Sequence, residues 1–458
     1  MTDSSDPAAA VGARLGAVLG APVADLERLS GGASRETWAF TSGGRRLILR
    51  RDPPGRPGDF GSMAMEAAAL QAAAAAGLAV PDVVAVDGGR RLGTAGMVMG
   101  RIDGETLARR ILRDPGFAAA RAALTGQLGR FMAGLHRIPP EAVSGLPEPD
   151  PLAYLEEMYA GVDDVSPTFD TALRWLARHR PARRPPVVVH GDLRLGNVIV
   201  GPGGLRAVID WELVHLGAPA EDLAWACVKA WRFGAPGEAA GVGTIDELLA
   251  AYHEAGGPPV ERGEFDWWLV EKTLQWGIMC MKQAAAHLTG AARSVELAAI
   301  GRRVAEQEWD LLELLDPAGA PAPVAAPVPA ADATAAGPAD AGLYGRPTIG
   351  ELVEAVDEFL AGPVADGTGG QLRFHARVAA NVLRTVARQL AAGPGPAERA
   401  GRGLAALGQP SFAALAAAIR TGAFDGREAD LHRFLWATVA DRLAVANPRH
   451  RPELTASG

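Results

Sequence analysis

Val187-Val-Val-His190-Gly-Asp192-Leu-Arg194-Leu-Gly-Asn197-Val-Ile-Val200, a Gly201-Pro-Gly-Gly turn, then Leu205-Arg-Ala-Val-Ile-Asp210-Trp211-Glu212 is the stretch that decides the fold. Its β-branched runs predict strands on either side, so the polar residues fall on a loop held between rigid elements. Asp192, Asn197 five positions on, and Asp210 at the next strand end supply one carboxylate to face a hydroxyl and two oxygen ligands for a hard cation. Mg²⁺ takes such ligands and keeps the rest of its shell for water and phosphate oxygens. An isolated Asp between strands is an ordinary turn former, but the set as spaced here calls for a chemical reason.

The loop resembles that of the protein-kinase fold, in which one Asp accepts the substrate hydroxyl proton while Asn and a second Asp hold the metals. Here it reads His190-Gly-Asp192, and Asp210-Trp-Glu212 stands where protein kinases have Asp-Phe-Gly. Both variants resemble the aminoglycoside phosphotransferase and choline kinase-like family of small-molecule kinases, in the branch associated with acyl-CoA dehydrogenases. The resemblance implies an α+β, protein-kinase-like two-lobed fold, with a small mixed β-sheet lobe and a mainly helical lobe. It also implies ATP and Mg²⁺ as cofactors, Asp192 as the catalytic base, and Asn197 and Asp210 as metal ligands.

Toward the amino terminus, Gly31, Gly32 and Ser34 form a turn between two predicted strands, where close backbone approach and a hydroxyl donor suit a phosphate-covering loop. The next strand is Arg46-Leu-Ile-Leu-Arg50-Arg51, ended by Asp52-Pro-Pro. Lysine first occurs at Lys229, so a phosphate clamp in this part must be arginine. Alternation puts Ile48 and Arg50 on one face, making Arg50 the choice and Arg51 the second. Protein kinases have a lysine on this strand, whereas the family it resembles often has arginine, as here; the two are not interchangeable, since a planar fork replaces a point charge. Glu66, in a helix around Met63–Gln71, is its expected partner. The resemblance also assigns the backbone of Met97 to Met99 to the adenine edge, ahead of Gly100-Arg-Ile-Asp-Gly104.

Toward the carboxyl terminus only eleven residues separate Asp210 from Asp222, too few for the activation segment that holds a peptide substrate in protein kinases. A small hydroxylated substrate is therefore expected. Glu221 and Asp222 precede an apolar helix and read as its cap, and the resemblance gives Asp222 the task of steadying the catalytic loop. His136 closes a helix whose Leu124, Leu128, Phe131, Met132 and Leu135 recur at core spacing; a dipole contact is its expected role. One helical stretch is expected from Pro151 to Arg180, and helices carrying Trp231, Tyr252, Trp267, Trp268, Trp276 and Trp309 reach Leu315.

Pro317 to Ala341 is almost entirely Ala, Pro, Gly and Val and predicts an extended linker. Beyond it, Thr348-Ile-Gly-Glu351 is a capping box that opens a helical stripe of Ile349, Leu352, Val353, Val356, Phe359 and Leu360. Three further helices, over Phe374–Leu390, Phe412–Thr421 and Ala429–Asn447, make a small all-α bundle. The domains expected are residues 1–100, a nucleotide-binding lobe; 101–316, a catalytic and substrate lobe; 317–345, the linker; and 346–458, a helical accessory domain that offers a surface for a protein partner.

In a chain of 458 residues, a net charge of −8 and a pI near 5.7 argue against a nucleic-acid footprint. No run of eighteen apolar residues suggests a membrane span, and the start lacks signal-peptide features, so a cytoplasmic protein is expected. Cys227 and Cys280 lie in apolar stretches without metal-ligand spacing and read as core thiols. The expected function is ATP-dependent phosphoryl transfer to a hydroxyl of a small molecule, such as a hydroxyacyl-CoA. The alternatives are a nucleotide-binding pseudokinase acting through the helical domain and an antibiotic-resistance aminoglycoside kinase.

Overall fold

The computed structural model describes residues 7–29, 35–54, 62–321 and 347–450. They divide into two compact units: Met1–Asp150 with Pro181–Lys272, and Pro151–Arg180 with Thr273–Gly458. Gly31, Gly32, Ser34 and almost all of the expected linker lie outside the described residues.

The first unit opens with α1 (Pro7–Leu19) and a sheet of β1 (Val23–Leu29), β2 (Glu36–Ser42), β3 (Arg45–Arg51), β4 (Val83–Gly88) and β5 (Ala95–Gly100). The strand order is β1-β2-β3-β5-β4, and every pairing is antiparallel. Alternation along β3 sends Leu47 and Leu49 into a core with Val11, Leu15, Trp38, Phe40, Leu92 and Val98. That leaves Arg50 on the other face. Between β3 and β4, α2 (Met63–Ala75) starts at Ser62, whose Oγ accepts the Met65 N–H at 3.2 Å. Its apolar residues surround Glu66, which is turned inward with only 1 % exposure.

After β5 come α3 (Ala108–Arg113) and α4 (Ala118–Leu135), which buries Leu124, Leu128, Phe131, Met132 and Leu135 as their spacing requires. Two short ribbons follow: β6 (Val187–Val189) pairs with β9 (His215–Gly217), and β7 (Val198–Gly201) pairs with β8 (Gly204–Val208). The chain from His190 to Asn197 is the loop between them. Gly191 sits there at φ +80°, and a Cβ in its place would collide with the Leu213 carbonyl. The unit is completed by α7 (Pro219–Trp225), α8 (Ile245–Glu254) and the start of α9 (Arg262–Leu288), within which the division into units falls.

The second unit begins with α5 (Pro151–Ala160) and α6 (Pro167–Arg178). The single helix expected here is broken at Gly161, and Ser166 restarts it by accepting the Phe169 N–H ahead of Pro167. Later come α10 (Val295–Ile300), α11 (Val304–Leu315), α12 (Ile349–Phe359), α13 (Gly370–Ala392), α14 (Gly395–Ala406), α15 (Phe412–Arg420) and α16 (Glu428–Ala446). The capping box at Thr348 and Glu351 forms. Ala305, Trp309 and Leu312 of α11 share one core with Leu404, Leu415, Phe434, Trp436 and Val439. The apolar stripe of α12 is solvent-facing instead, with Ile349 at 65 % exposure and Phe359 at 57 %. Helix α14 was not anticipated: Gly395, Gly401 and Gly403 lower its propensity, but Pro396 falls in the first turn, where a missing N–H costs nothing.

Candidate active site

Arg50 is the hub of the first unit. Its guanidinium forms an ion pair with Glu66 through Nη1, donates to Asp210 Oδ1 at 2.7 Å through Nη2, and lies 3.5 Å from Glu212. The expected Arg50–Glu66 pair is therefore present. Arg35, missed in the sequence, is its counterpart on the other Glu66 oxygen and also pairs with Asp52 at 3.3 Å. Arg51, on the opposite face of β3, pairs with Glu36 at 2.7 Å.

Asp210 stands at φ +68°, a left-handed conformation that a non-glycine residue holds only when its surroundings impose it. The neighbouring bonds show what does so here: the Ile209 N–H is bound by the Asn197 carbonyl at 2.9 Å, and the Trp211 indole donates to the Val208 carbonyl. The strained backbone turns the Asp210 carboxylate away from the strand, where one third of its side chain is exposed.

Asp192 is enclosed by donors. Oδ1 accepts from the Trp225 Nε1 at 2.7 Å and the Arg194 Nε at 2.9 Å, while Oδ2 accepts from the Asn197 Nδ2 at 2.6 Å. Burial pushes its carboxyl above the ordinary range; Arg194, His190 and the Trp225 N–H work against that rise, and Asp210 adds to it. Asn197 also donates to the Asp192 carbonyl, which leaves its Oδ1 at the opposite end of the amide.

The loop itself is fastened from beneath. Asp222 accepts the N–H groups of His190 at 2.8 Å and Gly191 at 2.9 Å, one on each oxygen. Ala218, not Glu221 or Asp222, is the N-cap of α7, so the expected capping role is not observed. His136 was expected at a helix end and proves to be a buried strut, with Nε2 3.2 Å from Asp222 and Nδ1 2.9 Å from the Tyr252 hydroxyl. Burial raises the Asp222 carboxyl, but His136, His190 and the backbone donors hold it below its usual value. The His190 ring accepts the Asp192 N–H on Nδ1, which leaves Nε2 to donate to the Ile209 carbonyl. Behind the loop, Lys272 is buried between Glu221 at 2.7 Å and Glu271 at 3.1 Å, and His215 lies 3.1 Å from Glu221.

Met97 and Met99 occupy the strand between β3 and β4 and are laddered to both, at Arg50 and Ile48 on one side and at Val86 and Val83 on the other. Their backbone serves the sheet, and Ile102 to Gly104 is the segment that leaves it.

The donor set fits Mg²⁺. Asn197 Oδ1 and Asp210 Oδ2 are oxygens without a partner among the described residues, and Mg²⁺ needs only one or two protein ligands beside phosphates and water. Among the described residues no group of three or more His, Cys, Asp or Glu side chains forms a protein-only metal cage. Both cysteines are buried, and no described helix is long and apolar enough to cross a membrane.

Residues 25–268 match the phosphotransferase enzyme family, and residues 366–450 match a domain of unknown function, DUF6285. Among curated proteins, mouse acyl-CoA dehydrogenase family member 10 is 25 % identical over 317 residues, 62 % of this chain and 29 % of that protein. Rat acyl-CoA dehydrogenase family member 11 is 29 % identical over 211 residues, 42 % of this chain and 26 % of that protein. The chain thus spans under a third of the length of these relatives. A solved structure from Ralstonia eutropha, described as an aminoglycoside phosphotransferase, superposes with a TM-score of 0.53 at 21 % identity, covering 66 % of this chain and 97 % of that one. That likeness concerns the fold, which is protein-kinase-like.

Proposed function

Since the chain belongs to the phosphotransferase enzyme family, we propose that it is a small-molecule kinase that moves the γ-phosphoryl group of ATP to a hydroxyl. The observation that carries this reading is the convergence in one compact unit of the Glu66–Arg50–Asp210 chain and the Asn197–Asp192 pair.

Arg50, held by Glu66, presents its fork to the nucleotide phosphates. The adenine edge meets the backbone leaving β5 near Ile102, since Met97 and Met99 are spent in the sheet. Asn197 Oδ1 and Asp210 Oδ2 would hold Mg²⁺, which would supply neutralisation of charge on the phosphate oxygens. Asp192 takes the acceptor's proton as the acceptor oxygen bonds to the γ-phosphorus and the bond to the β–γ bridging oxygen breaks, releasing ADP. Its burial raises its basicity toward the operating pH. Gly31, Gly32 and Ser34 are proposed to cover the phosphates, and residues 317–345 to be the linker to the helical domain.

Similarity to acyl-CoA dehydrogenase family members 10 and 11 puts hydroxyacyl-CoAs first among acceptors to test. A polycationic aminoglycoside is disfavoured by the guanidinium of Arg194 beside Asp192.

The test is thermal-shift titration with ATP and GTP, with and without Mg²⁺, on wild type and Asp210→Ala, followed by an acceptor screen for ADP release. Mg²⁺-dependent stabilisation that Asp210→Ala loses is expected, with Asp192→Asn abolishing turnover and leaving ATP binding nearly intact. Absence of any nucleotide shift, or equal loss of binding and turnover in Asp192→Asn, refutes the assignment.

A further inference from the structure

We propose that Arg194 is a positioning residue for the base: with Trp225 it fastens Oδ1 of Asp192, so that Oδ2 is the oxygen that meets the acceptor hydroxyl. The inference rests on the phosphotransferase reading and adds a specific device to it.

Two donors already occupy Oδ1, at 2.7 and 2.9 Å, whereas Oδ2 has one, from Asn197. A carboxylate oxygen offers two lone-pair sites, so the opening for a hydroxyl lies on Oδ2. With one donor fewer on Oδ1 the carboxylate plane could tilt about χ2, which is a broad torsion, and carry Oδ2 away from the acceptor. Arg194 is that second anchor, and it is itself held. Its guanidinium stacks over the Trp231 ring, 4.6 Å from the centroid. Trp231 in turn lies against Trp225, 5.3 Å between ring centroids, so both Oδ1 donors lean on one aromatic pair. Gly196 completes the device, because a Cβ there would run into the Arg194 Nη1.

Two readouts test this. The first is the kcat and the ATP KM for ADP release from ATP with Mg²⁺, water serving as acceptor, in wild type, Arg194→Gln, Arg194→Lys and Gly196→Ala. Misplacement of a reacting group costs about 10²-fold, so Arg194→Gln is expected to lower kcat by about that factor with the ATP KM nearly unchanged, and Arg194→Lys to recover part of the rate. Gly196→Ala keeps the charge and displaces only the flexible end of Arg194, which guards against a folding defect; its kcat falls likewise. The second readout needs no turnover: the Trp225 indole N–H resonance at neutral pH, assigned with Trp225→Phe, reports its hydrogen bond to Oδ1 and is expected to shift in Arg194→Gln. An unchanged kcat in Arg194→Gln and Gly196→Ala, or an unchanged indole resonance in Arg194→Gln, overturns the inference. A wild type that releases no ADP while the indole resonance still shifts in Arg194→Gln counts against the phosphotransferase reading instead.

Discussion

Replacing Glu66 by Gln removes the negative charge shared by the buried Arg35 and the partly buried Arg50 guanidiniums. Glu66 is 1 % exposed, and Arg35 and Arg50 each bond one of its oxygens. A glutamine keeps one acceptor and turns an NH₂ toward the other arginine, whichever way the amide is placed. Stripping one partner from a buried ion pair costs about 3–5 kcal/mol. The lower end applies, because Arg35 retains Asp52 at 3.3 Å and Arg50 retains Asp210 at 2.7 Å. For a cooperative unit of roughly 240 residues, about 3 kcal/mol corresponds to a Tm lower by about 6–12 °C. Calorimetry of wild type and Glu66→Gln at neutral pH reads this directly, with Asp103→Asn as control, since the Arg46–Asp103 pair is more than half exposed at each partner. ATP affinity, measured by titration with Mg²⁺, is expected to fall about tenfold as Arg50 loses its tether to α2. Melting within 1 °C of wild type, with ATP affinity intact, would refute the claim that Glu66 is the electrostatic keystone of the site.

Three further expectations follow from the contacts. Asp222→Asn leaves the N–H of His190 or Gly191 facing an amide NH₂; a kcat lower by about 10²-fold is expected from the displaced loop, and unchanged kcat in a folded variant counts against the strut. Burial raises the Glu271 carboxyl to about 7, so the folded protein binds the extra proton, and stability falls as pH rises from about 4.5 toward 7. Glu271→Gln removes that loss, so it should gain on the order of 2 kcal/mol relative to wild type at pH 8 and little at pH 4.5, as denaturant melts at the two pH values will read. In the second unit, Trp309→Ala vacates a site 1 % exposed against the edge of Trp436 and should cost about 3–5 kcal/mol; a loss below 1 kcal/mol would contradict the shared core of α11 and the carboxyl-terminal helices.

How the site and fold read from sequence depended on distance along the chain. The His190–Asn197 loop was legible because its residues are neighbours: two β-branched runs fix the ends, and five positions fix the spacing of Asp192 and Asn197. Arg50 and Glu66 were legible because strand alternation and one short helix constrain both. That Met97 and Met99 are laddered on both sides emerged only from the fold, since whether a strand is paired on one side or both cannot be read from its own composition. His136 looks like a helix residue until tertiary packing brings it between Asp222 and Tyr252, which lie 86 and 116 residues away along the chain.

By itself, then, the sequence determined most of the elements and the spacing of Asp192, Asn197 and Asp210, because these rest on period, turn chemistry and short distances along the chain, while the kinase-like class came from the resemblance those residues carry. Only the tertiary structure decided that Arg50 reaches from Glu66 to Asp210, that Trp225 and Arg194 bind one oxygen of Asp192, and that Asp222 holds the loop from below. The physical reason is that burial sets what a charge or a hydrogen bond does. Burial is a property of residues brought together from distant parts of the chain, and no local pattern encodes it.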